Sequence, residues 1–306
     1  LTYPAFTITP APASVQPGSV ADHYDELDPF YRELWGDHVH HGLWRTGDET
    51  PVEAAEALAD RVADLADLTT GARVVDIGSG YGATARRFAE KFGARVTAVT
   101  VSRAQHDYAL SDQGRPGNPC YMLADWLQND LPPASFDAAI AIESTEHMFD
   151  LPRALNEAAR VLVPGGRIVI CAWLVRDVPG RAEARFLLEP ICREGRLCGM
   201  GNEHHYRRLL ADNGFTVDRF VDVSSQVVRT CTICIARVIR ALLTGTAYWR
   251  FLLDQRRRNR VFLLTLFRIR LAYALGSMRY GIFVARVQRE ECAATPLTAE
   301  QAGAAR

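Results

Sequence analysis

The chain has 306 residues, 48% of them hydrophobic and 23% charged, with a formal net charge of −1 at pH 7. That length buries a substantial core, the composition is that of an ordinary globular protein, and the near-zero charge excludes a global field for nucleic acid. Seven cysteines, an odd number, and no secretory leader at the start of the sequence point to a reducing, cytoplasmic setting rather than a disulfide scaffold.

In chain order, residues 1–20, with Pro4, Pro10, Pro12 and Pro17 among small residues, are expected to form a disordered arm. A helical lid is expected over 21–70. Tyr24, Leu27, Tyr31, Leu34 and Trp35 fall near helical spacing, and Val52, Ala55, Leu58, Val62 and Leu65 mark a second amphipathic helix. Between them lie His38, His40, His41 and Trp44. No carboxylate or cysteine stands at companion spacing, so no metal site is expected, and the segment reads as an aromatic and imidazole lid or as lid packing. Cys231 and Cys234 lack a second pair and read as buried helix cysteines.

The organising stretch is Val74-Val75-Asp76-Ile77-Gly78-Ser79-Gly80-Tyr81-Gly82. Apolar run, glycine turn and following helix predict the first strand–turn–helix unit of a doubly wound, Rossmann-like α/β sheet, whose ligands bind beyond the carboxyl ends of the strands. The acid ahead of the glycines repels a pyrophosphate but suits a cationic ligand with an amino group, which points to S-adenosylmethionine rather than NAD. Further strands are expected at 94–101, 120–123, 136–142, 167–173, 215–223 and 280–287, making seven. The second strand ends in Thr100, followed by Ser102 and Gln105, where an acid usually holds ribose hydroxyls. The third ends at Asp125 and Trp126, suited to an adenine amino group and ring. The fourth ends in Glu143-Ser144-Thr145-Glu146-His147-Met148, where chemistry is expected.

These segments divide the chain into a cofactor-binding core (71–178) and the end of the core sheet (179–290), which carries a helical substrate-cap insertion at 225–278. A disordered tail at 291–306 follows. No run approaches the ~20 apolar residues that span a bilayer. The insertion carries Arg250, Arg256, Arg257, Arg258, Arg260, Arg268 and Arg270 interleaved with leucines and phenylalanines. Three readings stand open: a membrane-surface patch over 250–270, a diphosphate clamp, and a solvated helix face. The arm and lid are placed for exchange between the protomers of a homo-oligomer.

The glycine stretch, Asp125 and Leu162-Val163-Pro164-Gly165-Gly166-Arg167 together resemble the class I S-adenosylmethionine-dependent methyltransferases over about residues 21–287. More narrowly, residues 35–42, 100–105 and 142–148 resemble the tocopherol, sterol and isoprenoid C-methyltransferase group, which also includes alkaloid N-methyltransferases. The resemblance implies the seven-stranded fold and S-adenosylmethionine. It implies that Asp76, Gly78, Ser79, Gly80, Gly82, Thr100, Val101, Gln105, Asp125, Trp126, Glu143 and His147 surround the cofactor. Glu146 or His147 is the expected proton acceptor, and Tyr24, Tyr31, Trp35 and Trp44 are the aromatic faces expected to shield a carbocation. Tyr31, Trp35, His41, Trp44 and Trp173 are expected around a small hydrophobic substrate. The reading favoured is methylation at carbon of an isoprenoid, prenyl diphosphate or prenylated aromatic in specialised metabolism; the alternative is N- or O-methylation of an alkaloid-like or phenolic compound. Nucleic acid is not an expected partner.

Overall fold

A computed structural model describes residues 6–8, 18–112, 117–245, 247–254, 259 and 261–288. The elements run β1 (Thr7–Ile8), α1 (Ser19–Leu34), α2 (Pro51–Leu65), β2 (Arg73–Ile77), α3 (Ala83–Lys91), β3 (Arg95–Thr100), α4 (Arg103–Ser111), β4 (Cys120–Leu123) and β5 (Phe136–Ile142). They continue through α5 (Leu151–Val161), β6 (Leu162–Val175), α6 (Arg181–Glu183), a π turn, α7 (Glu189–Glu194), β7 (Met200–Gly201), α8 (Glu203–Asp212) and β8 (Phe215–Asp222). The insertion supplies α9 (Ser224–Val227), α10 (Arg229–Thr244), α11 (Ala247–Leu253) and α12 (Phe262–Ala274), and β9 (Met278–Val287) closes the sheet.

The expected seven-stranded sheet is present, in the order β4-β3-β2-β5-β6-β9-β8. β2 through β6 pair in parallel, and β9 runs antiparallel to both β6 and β8. Because the parallel strands are covered on both faces, successive residues go to opposite cores. Val74, Ile140 and Val169 pack with α2 and α3 on one face. Val75, Ala139 and Ile170 pack with α5 and α8 on the other. The strand order reverses at β2 and β5, so a crevice opens at their carboxyl ends.

Local chemistry explains the starts of the helices. Thr50 and Glu53 form a reciprocal capping box ahead of Pro51. Ser102 accepts from the Gln105 amide at the start of α4, and Asn202 from the His205 amide at the start of α8. Gly82 precedes α3 with φ +77°, and a Cβ there would sit 2.5 Å from the Tyr121 ring.

Two domain expectations are corrected. The arm is not wholly without structure: Thr7 and Ile8 pair with Gly201 and Met200, Ile8 is buried, and Ser19 and Val20 already belong to α1. Ile8 lies in an apolar cluster with Val175, Leu188 and Met200, a contact no local pattern encodes. Likewise α2, assigned to the lid, carries Leu58, Ala59 and Val62 into the sheet core and is a structural layer. The predicted 291–306 tail and Arg256, Arg257, Arg258 and Arg260 lie outside the described residues. No described helix is long and apolar enough to cross a membrane.

Gly82→Ala should cost about 1–3 kcal/mol, combining a left-handed backbone with a Cβ forced against an aromatic ring. Denaturant unfolding checks this; an unchanged midpoint contradicts the packing assigned to the turn.

Candidate active site

The crevice holds a cavity of about 440 Å³. Gly78 and Gly80 from the turn after β2, Thr100, Val101 and Gln105 from the end of β3 and the start of α4, and Asp125 and Trp126 after β4 all line it. Glu143 and His147 after β5 and Tyr24 of α1 complete its inner end. The two loops at the reversal point meet closely. A Cβ on Gly78 would stand 2.5 Å from that of Ser144, whose hydroxyl donates to the Ile77 carbonyl at 2.5 Å. Thr100 donates to the Gln105 side-chain carbonyl at 2.9 Å, so a hydroxyl–amide pair stands where an acid is commonest. Asp125 accepts the Leu127 amide, and the Trp126 indole donates to the Ala154 carbonyl, which fixes both at the cavity wall.

An inner chamber of about 50 Å³ shares Tyr24, Glu143 and His147 with this cavity and is walled as well by Tyr31, Trp35, Glu146, Trp173, Leu197, Leu266 and Ile269. A third, smaller space behind the glycine turn is lined by Asp76, Ser79, His38, His40 and Thr84. Five expected residues lie off the two larger spaces, Asp76 and Ser79 in this third one and three elsewhere. Gly82 is turned toward Tyr121. Trp44 donates its indole N–H to Thr230 and sits under the Arg229 guanidinium. His41 is bonded to Glu143, behind the chamber wall. Of these aromatic residues, Tyr31, Trp35 and Trp173 reach the chamber.

Sequence reasoning missed the residues that hold α1 over the cavity. Asp25 accepts from the Ser102 hydroxyl at 2.5 Å and from the Ala104 amide, and Asp28 accepts from the Tyr81 hydroxyl at 2.8 Å. An acidic residue on a helix carries no local mark of such a partner. Met148, the last residue of the predicted stretch, also lines the cavity, and continuing that stretch by one residue finds Phe149.

Burial sets the protonation states. Glu143 would be pushed up by burial, but the His41 charge and hydrogen bond reverse this and hold it ionised below the usual carboxylate range. His41, which burial alone would lower, is raised by Glu143 and Cys231. Among the described residues Glu146 has no cationic partner. Burial raises it to about 7 despite hydrogen bonds from the Trp173 amide at 2.5 Å and the Thr145 hydroxyl at 2.9 Å. His147 is lowered to about 4, chiefly by burial. One ring nitrogen, Nδ1, faces the Arg196 carbonyl at 3.2 Å, which can only accept. Nδ1 therefore carries the proton, and Nε2 accepts from the Tyr24 hydroxyl at 3.1 Å. Asp76 is raised to about 7 by burial, and its Oδ2 has no partner among the described residues.

The sign of the Glu146 contribution follows from its raised pKa: it favours the fold below the unfolded value near 4.5 and is lost as pH rises through about 7. Glu146→Gln should therefore gain stability relative to the parent as pH rises from 5 to 8. The gain should reach a few kcal/mol, at about 1.4 kcal/mol per pH unit between the two pKa values. Thermal unfolding across pH measures it, and a pH-independent difference between the two proteins contradicts it.

Residues 75–170 match the family described as a methyltransferase domain. The chain is 35% identical to 27-O-demethylrifamycin SV methyltransferase of Amycolatopsis mediterranei, over 55% of this chain and 63% of that enzyme. It is 32% identical to the methyltransferase GfsG of Streptomyces halstedii, over 68% of this chain and 76% of the relative. Tocopherol O-methyltransferase of Arabidopsis thaliana is 30% identical, over 68% of this chain and 66% of the plant protein. Among solved structures, the [4+2]-cyclase SpnF superposes with a TM-score of 0.76 at 26% identity, covering 92% of this chain and 99% of SpnF. Mycolic acid cyclopropane synthase CmaA1, solved with S-adenosylhomocysteine, gives 0.77 at 21%, covering 88% and 97%. The crevice suits S-adenosylmethionine: Gly78 and Gly80 offer it side-chain-free backbone, and Asp76, with a partnerless buried carboxylate oxygen among the described residues, lines the small adjoining space that shares those glycines. The chain belongs to the class I S-adenosylmethionine-dependent methyltransferases.

Proposed function

We propose that the chain methylates a hydroxyl oxygen of a small, largely apolar natural product, with His147 as the general base. The observation that carries this reading is the neutral His147 ring at the junction of the two chambers, pinned at Nδ1 and bonded through Nε2 to Tyr24. Bound S-adenosylmethionine supplies an already activated methyl group, so the protein's task is alignment, exclusion of water and proton removal. Asp76, Gly78 and Gly80 would hold its amino-acid end, Thr100, Val101 and Gln105 its ribose, and Asp125 with Trp126 its adenine. In the inner chamber a hydroxyl takes the place of the Tyr24 O–H at Nε2, and His147 accepts its proton as the oxygen is methylated. Glu146, expected as a base, has both carboxylate oxygens engaged and serves to position the strand β6 beside it. The name of the rifamycin enzyme, which points to an oxygen acceptor, supports the same reading.

Carbon methylation, the reading favoured by sequence, is the second possibility. The Tyr24, Tyr31, Trp35 and Trp173 rings beside Glu143 would shield a developing carbocation. A screen with methyl-labelled S-adenosylmethionine against phenols, polyketide alcohols, prenyl diphosphates and prenylated quinols separates the two. Label on oxygen supports the first reading, and label on carbon replaces it with the second.

Two variants test the assignments. His147→Gln should lower turnover by about 10²–10⁴-fold while cofactor affinity stays near the parent value; a parental single-turnover rate removes His147 from the chemistry. Asp125→Ala should weaken cofactor binding by about 1–3 kcal/mol, and unchanged calorimetric affinity refutes its adenine role.

A further inference from the structure

The insertion differs in charge from the rest of the molecule. Residues 224–278 contain ten arginines, no lysine and one acid, Asp254, in a chain whose net charge is −1. Arg229, Arg240 and Arg250 are exposed, whereas Arg237 donates to the Leu34 carbonyl and Arg268 pairs with Glu194. The same helices leave large apolar side chains in water. Along α12 and its end, Leu264, Phe267, Leu271 and Leu275 follow one another at three- and four-residue steps and are 43–57% exposed. α10 adds Ile239 and Leu243, and α11 adds Trp249 and Leu253. The inward side of α12 carries Leu266 and Ile269, which wall the inner chamber. A single helix therefore separates the acceptor chamber from the exposed apolar stripe.

Contiguous apolar surface of this kind marks an interaction site, and its charge selects the partner. Helices with aliphatic and aromatic side chains on one face and exposed arginines beside them lie at the headgroup level of bilayers, where guanidinium groups meet lipid phosphates. We propose that α10, α11 and α12 dock on an anionic lipid surface, so that an apolar substrate reaches the chamber under α12 from lipid. Arg240 and Arg250 supply the phosphate contacts, and Trp249, Phe267 and Leu271 enter the acyl boundary. The inference goes beyond the proposed function and holds for either acceptor atom.

The test is flotation of the full chain with vesicles of phosphatidylcholine and with vesicles that also contain phosphatidylglycerol. Binding is expected only to the anionic vesicles, and it should weaken as salt rises. Arg240→Glu with Arg250→Glu should lower partitioning about tenfold or more. Phe267→Ser with Leu271→Ser should also lower it, with thermal midpoint and S-adenosylmethionine affinity unchanged because these side chains face water. Equal binding to both vesicles, or to neither, overturns the proposal. So does full binding by the Phe267→Ser, Leu271→Ser variant. A dimer in sedimentation that this variant disrupts would assign the face to a second copy. Capture of an acidic carrier protein without vesicle binding would assign it to a protein partner. Either result overturns the lipid assignment.

Discussion

The architecture of the site depends on one buried carboxylate. Glu143, just past β5, accepts the His41 amide at 2.7 Å, the His41 Nδ1–H at 3.1 Å, the Trp173 indole N–H at 2.8 Å and the Tyr280 hydroxyl at 2.8 Å. It does so with φ +52°, a left-handed conformation costly for a residue with a Cβ. A buried charge with so many donors is tolerable only while all of them stay in place, because removing one leaves the rest of the desolvation cost uncompensated. The four donors come from three places: the loop after α1, strand β6 and strand β9. The carboxylate therefore fixes the 36–44 loop to the sheet, and with it one side of the inner chamber.

The same arrangement separates the protonation states of neighbouring groups. Glu143 is ionised because His41 is cationic beside it, and Glu146, three residues on, has no such partner among the described residues and holds its proton to about pH 7. His147 is kept neutral by burial. An anion, a proton-bearing acid and a free base thus stand within five residues of chain, each set by its surroundings. The helix α1 closes the space above them, held by Asp25 on Ser102 and Asp28 on Tyr81. Tyr24, one residue before Asp25, is delivered to His147 by that clamp.

Much of the fold was legible because its signals are local. The strand–turn–helix at Val74 to Gly82, the capping box at Thr50 and the asparagine cap at Asn202 are written in neighbouring residues. The crevice residues at the ends of β2, β3, β4 and β5 followed once the strands were placed, because the doubly wound topology brings those ends together. What stayed hidden depends on distant partners. Nothing beside Asp25 announces Ser102, 77 positions later, and nothing in a proline-rich arm announces that Thr7 and Ile8 pair with β7. Trp44 shares the aromatic character of Trp35 in the sequence, yet it packs on Thr230 and away from the chamber. Glu146 and His147 looked equivalent as proton acceptors. The difference is the amide of Trp173, which takes up one carboxylate oxygen, and the carbonyl of Arg196, which sets the imidazole tautomer.

The most direct test of this account is hydrogen–deuterium exchange on Glu143→Gln beside the parent protein. If the carboxylate fixes the loop to the sheet, amide protection should fall over 36–44 and in α1 while β2, β3 and β5 exchange as before. Unchanged exchange in the loop, or an equal loss of protection across the whole sheet, would contradict the role given to Glu143.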